Sequence, residues 1–206
     1  MNVLVATSNP GKLREFAGVA EAYGVTIAPV PGFSSLPAVV EDGLTFEANA
    51  IKKAEAYSLA APGELVLADD SGLEVDALNG APGVHSARYA ADDPHRATSN
   101  SEDQANNARL LRELNGVSPA KRTARFVCVL AAARDGQTIG TFRGAAEGVM
   151  LDSPRGANGF GYDPIFFHPS SGRAFAELTR AEKERVSHRG AAMRKLVAAL
   201  ARGEVA

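Results

Sequence analysis

The chain has 206 residues, of which 45% are hydrophobic and 22% charged, a composition typical of a soluble globular protein. Its formal net charge of −2 provides no overall attraction to nucleic acid or to an anionic membrane, so any phosphate binding requires a local cluster of Lys and Arg. A single cysteine excludes an intrachain disulfide and suits a reducing compartment. The N-terminal apolar run is too short for a signal peptide, and no segment reaches the length of a membrane span. We therefore expect a cytoplasmic protein without nucleic acid or membrane partners.

Apolar runs and amphipathic stretches alternate along the first half of the chain. Strands are predicted at residues 3–6, 25–30, 65–68 and 73–78. One helix is predicted from the apolar stripe at positions 13, 16, 17 and 20, and another from Thr45, a good helix N-cap residue, to about residue 60. A strand that leads through a polar glycine turn into a helix is typical of an α/β protein.

The second half of the chain predicts a hairpin between two helical regions. Ser101 with Gln104, and Thr179 with Glu182, have the spacing of capping boxes at helix starts. Long strands are predicted at residues 125–133 and 138–150, joined by the turn-forming pair at positions 135 and 136. Ser187 is placed to cap a final helix that runs to about residue 201. No linker divides the sequence, and we expect one domain over residues 1–206.

The turn at residues 7–12, with the sequence Thr-Ser-Asn-Pro-Gly-Lys, follows the first predicted strand and opens a helix. Such a turn can present backbone N–H groups and the positive end of the helix dipole to an anion, and Lys12 adds a full charge. It is not a Walker A loop, because Ala6 stands in place of the first Gly and Leu13 in place of Ser or Thr. From these residues alone, phosphate binding and a plain helix cap are both open.

Acidic residues follow a predicted buried strand and occur in two loops. Asp69 and Asp70 are adjacent, and two neighbouring carboxylates repel one another unless a cation or a proton intervenes. A simple turn is the alternative for this segment, because Asp-Ser-Gly is favourable turn chemistry. Glu41, in a loop, would alone be interpreted as surface, and Asp163 as a turn residue before Pro164.

Basic residues stand on three predicted helices. Lys53 is one turn beyond Asn49, so their side chains share a helix face. Lys183 alone would be interpreted as a solvated lysine. His188 and Arg189 follow the Ser187 cap, where a cation gains nothing from the helix dipole, so the arginine hints at a nearby anion. The four histidines lack the spacing of zinc ligands.

Six short motifs carry the functional interpretation when they are taken together and in order. They are Thr7-Ser8-Asn9-Pro10-Gly11-Lys12, Thr45-Phe46-Glu47-Ala48-Asn49-Ala50, Ala68-Asp69-Asp70-Ser71-Gly72-Leu73, Gly80-Ala81-Pro82-Gly83-Val84, Gly159-Phe160-Gly161-Tyr162-Asp163-Pro164 and Ser187-His188-Arg189-Gly190. Their order and spacing closely resemble the inosine triphosphate pyrophosphatase family, which removes deaminated purine nucleotides, and the likeness extends from about residue 3 to about residue 200. One departure is residues 92–101, a stretch that is longer and more basic than the family pattern.

The resemblance implies a mixed α/β fold, with a long central mixed sheet flanked by helices, two lobes, the active cleft between the lobes, and usually a homodimer. It implies Mg²⁺ as cofactor, with Glu41 and Asp70 as metal ligands. It implies catalytic roles for Asp70, as the proton acceptor, and for Lys53. The substrate-binding residues that it implies are Thr7, Ser8, Asn9, Pro10, Gly11, Lys12, Asn49, Ser71, Phe160, Gly161, Tyr162, Asp163, Lys183, His188 and Arg189.

The expected activity is magnesium-dependent hydrolysis of ITP, dITP and XTP to the monophosphate and pyrophosphate. Hard carboxylate ligands without a Cys/His cluster favour Mg²⁺ or Mn²⁺ over zinc. One alternative is a pyrophosphatase for another modified nucleotide, which a substrate panel would distinguish. Another is a nucleotide sensor without turnover, which the acids argue against because a pure phosphate binder gains nothing from added negative charge. The role of Asp69, as second metal ligand or structural residue, is open at this point.

Overall fold

The computed structural model describes residues 1–97 and 101–205. The strands in this part of the chain are β1 (Asn2–Val5), β2 (Thr26–Pro29), β3 (Val66–Val75), β4 (Thr123–Arg134), β5 (Gln137–Met150), β6 (Phe166–His168) and β7 (Arg173–Ala174). The α-helices are α1 (Pro10–Glu21), α2 (Phe46–Ser58), α3 (Glu102–Glu113), α4 (Arg180–Val186) and α5 (His188–Ala201). The helices that begin near residues 10, 46, 102 and 188 and the strands β1, β2, β4 and β5 occur where the sequence pattern predicts them.

The strands form one mixed sheet in the order β2-β1-β3-β4-β5-β6-β7. β1 pairs in parallel with β2 on one side and with β3 on the other, with Leu4 opposite Val66 and Val5 opposite Leu67. β6 pairs antiparallel with both β5 and β7. The predicted fold class, a mixed α/β sheet flanked by helices, is confirmed.

The chain divides into two compact units, consistent with the two expected lobes. Unit 1 comprises Met1–Ser71, Cys128–Ala145 and the chain from Glu184 onward, and unit 2 comprises Gly72–Val127 and Ala146–Lys183. The core of unit 1 consists of fully buried apolar side chains from strands and helices, among them Val3, Val5, Phe16, Leu67, Cys128, Leu130, Met193 and Leu196. In unit 2, the rings of Phe126, Phe166 and Phe175 pack with centroids 4.6 to 5.7 Å apart. Cys128 is therefore a core residue, as predicted.

Local capping chemistry determines the helix starts. The Thr45 hydroxyl accepts from the Ala48 N–H, and Ser101 forms the predicted capping box with Gln104. Ser187 caps α5 by accepting from the Gly190 N–H. The β4–β5 turn has positive φ at both Asp135 and Gly136, the geometry that a tight hairpin requires.

The segment around Asp69 and Asp70 differs from the prediction. Two strands with a turn between them were expected, whereas β3 runs without interruption from Val66 to Val75. Both faces of this strand are buried over most of its length, so continued sheet pairing is favoured over the turn that Asp-Ser-Gly would form in solvent. Because β1 ends at Val5, opposite Leu67, the two acids lie just beyond the carboxyl end of β1.

Part of the segment 92–101 lies outside the described residues, since positions 98–100 are not covered. Within its described part, Asp92 and Asp93 form ion pairs with Arg109 and Arg112 of α3. Among the helices of the described residues, none has the length and apolar character that crossing a membrane requires.

Candidate active site

The turn after β1 is held by its own side chains. The Asn9 carboxamide oxygen accepts hydrogen bonds from the N–H groups of Gly11 and Lys12, at 2.8 and 3.1 Å. The Asn9 N–H donates to the Thr7 hydroxyl at 3.2 Å, and Pro10 has no N–H. Of the two interpretations left open for this turn, the structure shows the helix cap, in which Asn9 accepts from the N–H groups of Gly11 and Lys12. Phosphate binding by the turn stays a prediction. The charge that the turn offers is that of Lys12.

Lys12 is anchored by Asp69. Its ammonium group lies 2.8 Å from Asp69 Oδ2, and the Ser71 hydroxyl donates to the same oxygen at 3.0 Å. Asp69 is 3% exposed. Burial alone would raise the pKa of this carboxyl, but the positive charges of Lys12, Arg189 and Lys53 reverse that effect and hold the pKa below its ordinary value. Asp69 is thus a buried anion stabilised by the positive charges of Lys12, Arg189 and Lys53.

Asp70 lies in a different environment, although it is the next residue. Its side chain accepts from the Asn49 amide at 3.0 Å and from the Ser71 N–H at 3.0 Å. Burial raises the pKa of Asp70, and Lys53 and the Asn49 hydrogen bond only partly offset this effect, because the charges of Glu41 and Asp69 raise the pKa as well. The ionised form of Asp70 is therefore less stable than that of an exposed aspartate. Its oxygens consequently remain strong acceptors for a cation or a proton.

Lys53 joins the two acids that the resemblance implies as metal ligands. Its ammonium nitrogen is 2.6 Å from Glu41 Oε2 and 3.9 Å from Asp70 Oδ1. Burial alone would lower the pKa of Lys53, but Asp69, Asp70 and Glu41 together raise it, so this residue is cationic at neutral pH. The neighbouring Lys52 pairs instead with the exposed Asp42.

Asn49 connects the loop of Glu41 to the sheet. Its carboxamide oxygen accepts from the Gly43 N–H at 2.8 Å while its amide donates to Asp70. The residue is 1% exposed. Asn49 therefore ties the loop that contains Glu41 to Asp70, whereas a direct contact of Asn49 with phosphate stays a prediction.

The pair of Glu41 and Asp70 can hold a hard cation. Both carboxylates already surround one positive charge, the ammonium group of Lys53. In the described part of the chain no group of three or more His, Cys, Asp or Glu side chains suited to a metal ion occurs. Mg²⁺ is commonly bound through one or two carboxylates, with waters and substrate oxygens as the other ligands, so two acids suffice for it but not for a structural zinc site.

His188 and Arg189 begin α5 and are both buried, at 1% and 6% exposure. The Arg189 guanidinium donates to Glu15 Oε2 at 3.0 Å and to the Ser71 hydroxyl at 2.9 Å. The anion that the position of this arginine indicates is therefore supplied, at least in part, by Glu15 of α1. Sequence reasoning missed Glu15, and its spacing of three residues after Lys12 was the one available signal.

The predicted residues of unit 2 form a separate cluster. Lys183 Nζ lies 2.5 Å from Asp163 Oδ2 and 5.0 Å from the centre of the Phe160 ring. Asp163 also accepts from the Phe160 N–H at 2.9 Å. Tyr162 is buried and donates its hydroxyl to the Ser86 carbonyl oxygen. Tyr162 and Asp163 thus fix the end of the glycine-rich loop, residues 156–163, while Phe160 and Gly161 retain partial exposure.

Two further residues that sequence reasoning missed hold this loop. Asp103 and Asn107 of α3 both bind the backbone of Gly161, the former through its carboxylate and the latter through its amide. Their spacing of four residues places them on one helix face, which is visible in the sequence, but their partner 54 to 58 residues away is not.

Comparison with known proteins shows which family the chain belongs to. A sequence model of the Ham1 family matches residues 3–199. The dITP/XTP pyrophosphatase of Geobacter sulfurreducens is 50% identical over 193 residues, covering 93% of this chain and 92% of that protein. The dITP/XTP pyrophosphatase of Geobacillus kaustophilus is 47% identical over 196 residues, covering 94% and 91%.

Solved structures show the same fold. The Ham1 protein of Staphylococcus aureus superposes with a TM-score of 0.82 at 38% identity and covers 98% of this chain and 100% of that one. The nucleoside-triphosphatase, or dITP/XTP pyrophosphatase, of Mycobacterium abscessus superposes with a TM-score of 0.71 at 41% identity, covering 95% and 98%. With a match over nearly its whole length in both sequence and fold, the chain belongs to the Ham1 family.

Proposed function

We propose that this protein hydrolyses deaminated purine nucleoside triphosphates, namely ITP, dITP and XTP, to the monophosphate and pyrophosphate, and so cleanses the nucleotide pool. The names of relatives at 47% to 50% identity support this activity. The observation that carries it is the grouping in unit 1 of Asp70, Glu41 and Lys53, with Lys12 anchored on the adjacent Asp69. This grouping combines cations for a polyphosphate with carboxylates that a pure phosphate binder does not need.

We propose Mg²⁺ as the cofactor, held by Glu41 and Asp70. Bound there, Mg²⁺ would withdraw charge from phosphate oxygens and so reduce the repulsion that an attacking water meets. Activity that is abolished by a chelator and restored by Mg²⁺ or Mn²⁺, but not by zinc, is the expected result. Full activity after exhaustive chelation would contradict it.

In this mechanism Asp70 would activate the attacking water, and two lysines would bind the phosphate oxygens. The Asp70 carboxylate, whose pKa is raised by burial, is a better proton acceptor than an exposed aspartate. It would take a proton from the water whose oxygen attacks the α-phosphorus, while the bond to the bridging oxygen breaks and pyrophosphate leaves. Lys12 and Lys53 would stabilise the negative charge that develops on the pyrophosphate oxygens.

Base selection requires donors toward the 6-oxo group of the purine. Hypoxanthine and xanthine have an acceptor oxygen at this position and a protonated N1, whereas adenine has an amino donor there and an unprotonated N1. Donors placed for the 6-oxo group would therefore have no partner when adenine binds. Arg189 and His188 are candidates, and Arg189 would have to share donors that now bind Glu15 and Ser71.

The role of Arg189 can be tested by kcat/KM for ITP and for ATP. If it reads the base, Arg189→Ala should lower ITP activity more than ATP activity, by about 1–3 kcal/mol of discrimination. Equal losses for both nucleotides would assign Arg189 to the phosphates or to the support of Asp69 instead.

Chromatography of the products from ITP and Mg²⁺ tests the reaction itself. We expect IMP and pyrophosphate in equal amounts. IDP and orthophosphate as first products would contradict cleavage between the α- and β-phosphates. Preferred turnover of a modified pyrimidine nucleotide in the same assay would favour another modified-nucleotide pyrophosphatase, and binding of ITP without products would favour a sensor.

We also propose that the protein acts as a homodimer in the cytoplasm. The family resemblance supports the dimer. The lone, buried Cys128 and the absence of any disulfide among the described residues suit a reducing compartment.

A further inference from the structure

One residue of the glycine-rich loop in unit 2 is bound from both sides by the same helix. The Gly161 N–H donates to Asp103 Oδ2 at 2.7 Å. The Gly161 carbonyl oxygen accepts from the Asn107 amide at 3.0 Å. Asp103 and Asn107 are one turn apart on α3, so both hydrogen-bonding groups of Gly161 are satisfied by one face of that helix.

The loop needs such support because no strand pairing stabilises it. Gly159 and Gly161 both have positive φ, at 78° and 63°. At its far end the loop is tied by Asp163, which accepts from the Phe160 N–H and pairs with Lys183. Without the contacts to α3, the N–H and the carbonyl oxygen of Gly161 would lose their side-chain partners, and the glycine backbone would regain its large conformational freedom.

We propose that Asp103 and Asn107 are positioning residues for nucleotide recognition, which hold Phe160 in the orientation that receives a 6-oxopurine ring. This inference rests on the proposed function, in which the loop lines the base pocket. Neither residue is assigned to the nucleotide; both act through the Gly161 backbone. A loop fixed before binding pays less ordering entropy when the ligand arrives, so these residues contribute to affinity for the base.

The two side chains provide different chemistry, which makes the contacts separable. Asp103 needs only an acceptor oxygen, so Asp103→Asn can keep the bond to the Gly161 N–H, whereas Asp103→Ala cannot. Asn107 must donate, so Asn107→Asp places an acceptor-only carboxylate against the Gly161 carbonyl oxygen and should be at least as harmful as Asn107→Ala.

Glu102 provides a matched control for Asp103. Both are exposed acids in the first turn of α3, where a negative charge favours the helix. Glu102 pairs with Arg96, whereas Asp103 is the acid that accepts from the Gly161 N–H. Glu102→Ala therefore removes the same helix-terminal charge without touching the loop.

Calorimetric binding of IMP and of inorganic tripolyphosphate to each full-length variant tests the proposal. Loss of one loop hydrogen bond in Asp103→Ala or Asn107→Ala should weaken IMP binding about five- to tenfold. Tripolyphosphate, which has no base, should bind with unchanged affinity. Asp103→Asn and Glu102→Ala should resemble the wild type, and in kinetics with ITP the KM should rise more than kcat falls.

Four results overturn the positioning role: unchanged IMP affinity in Asp103→Ala, an equal effect of Glu102→Ala, a parallel loss of tripolyphosphate binding, or a wild type that binds no IMP. The proposed function fails separately, when wild-type protein binds IMP in the expected pattern but produces no IMP from ITP. Thermal unfolding of each variant distinguishes a lost loop contact from a misfolded unit, because Asp103 is exposed and its replacement should change stability little.

Discussion

At the scale of single residues, the neighbours Asp69 and Asp70 have opposite electrostatic situations. The pKa of Asp69 is held low by Lys12, Arg189 and Lys53, which outweigh its burial. The pKa of Asp70 is raised chiefly by burial; Lys53 and the Asn49 hydrogen bond lower it in part, and Glu41 and Asp69 raise it further. Alternation along β3 points consecutive side chains to opposite faces, so each acid meets different partners. One is suited to anchor cations and the other to accept a proton or a metal ion.

Asp70→Asn should retain the fold and lose nearly all turnover. The substitution preserves size and most hydrogen bonding but removes the charge on which water activation and metal binding would depend. ITP hydrolysis at saturating Mg²⁺ is the measurement, with Asp42→Asn as control because Asp42 is an exposed acid that pairs with Lys52. A near-normal rate would exclude the role given to Asp70.

Lys53→Ala should slow turnover by an order of magnitude or more, since one charge contact in the transition state is worth about 2–4 kcal/mol. Lys52→Ala is the matched control, because Lys52 is adjacent on α2 and forms its ion pair with Asp42 of the same loop, whereas Lys53 pairs with Glu41 and lies near Asp70. Equal rates for the two variants would show that Lys53 only ties down the Glu41 loop.

Asp69→Asn should destabilise the protein at neutral pH by about 3 kcal/mol, because buried cations lose their counter-ion. The folded pKa of Asp69 is below its unfolded value, so the carboxylate stabilises the fold above the ordinary pKa of 3.8 and this contribution is lost as the pH falls through the folded pKa. Urea unfolding over a pH series should show the wild type and variant converging only below 3.8. Convergence at neutral pH would contradict an ionised Asp69.

At the scale of elements, α5 packs closely on β5 within unit 1. A Cβ on Gly144 would lie 2.1 Å from the His188 carbonyl oxygen and 2.4 Å from the Ala192 nitrogen. Both are backbone atoms of the helix, which cannot rotate away as a side chain can. Gly144 therefore allows the start of α5, which bears His188 and Arg189, to approach the sheet.

Gly144→Ala should consequently reduce the free energy of unfolding by at least about 2 kcal/mol, as overpacking against fixed backbone does. Gly140→Ala on the same strand is the control, because its nearest neighbour is the ring edge of Phe142 at 3.4 Å, an ordinary contact. Denaturant unfolding of both variants is the measurement. A Gly144→Ala protein as stable as the Gly140→Ala protein would mean that α5 can shift without penalty.

At the scale of the whole molecule, each unit contains its own group of paired charges. Unit 1 contains the acids Glu41, Asp69 and Asp70 with the cations that pair with them, and unit 2 contains the glycine-rich loop with Lys183 and Asp163. The formal net charge of the chain is −2, so the molecule as a whole does not attract an anion. Attraction of a polyphosphate therefore has to be local, through residues such as Lys12 and Lys53.

A homodimer is the prediction at this scale. Light scattering at micromolar concentration should give twice the mass of the chain. A monomer mass over the whole concentration range would contradict the dimer, while leaving the proposed activity unaffected.

The sequence by itself determined the features that depend on near neighbours. The caps at Thr45, Ser101 and Ser187 and the hairpin turn at Asp135 are confirmed, because a side chain and its backbone partner lie within three residues there and a tight turn has few possible conformations. The ordered motifs also indicated the family, and with it a mixed α/β fold.

Only the tertiary structure decided which distant groups meet. Arg189 binds Glu15 across 174 positions, and Gly161 is held by α3 across 54 and 58 positions. No spacing rule reaches over such distances. β3 also continues without a break through Asp69 and Asp70. Burial of both faces of the strand outweighs the local preference of Asp-Ser-Gly for a turn. Long-range pairing and burial are properties of the packed chain, so the partners of these charges could be known only from the fold.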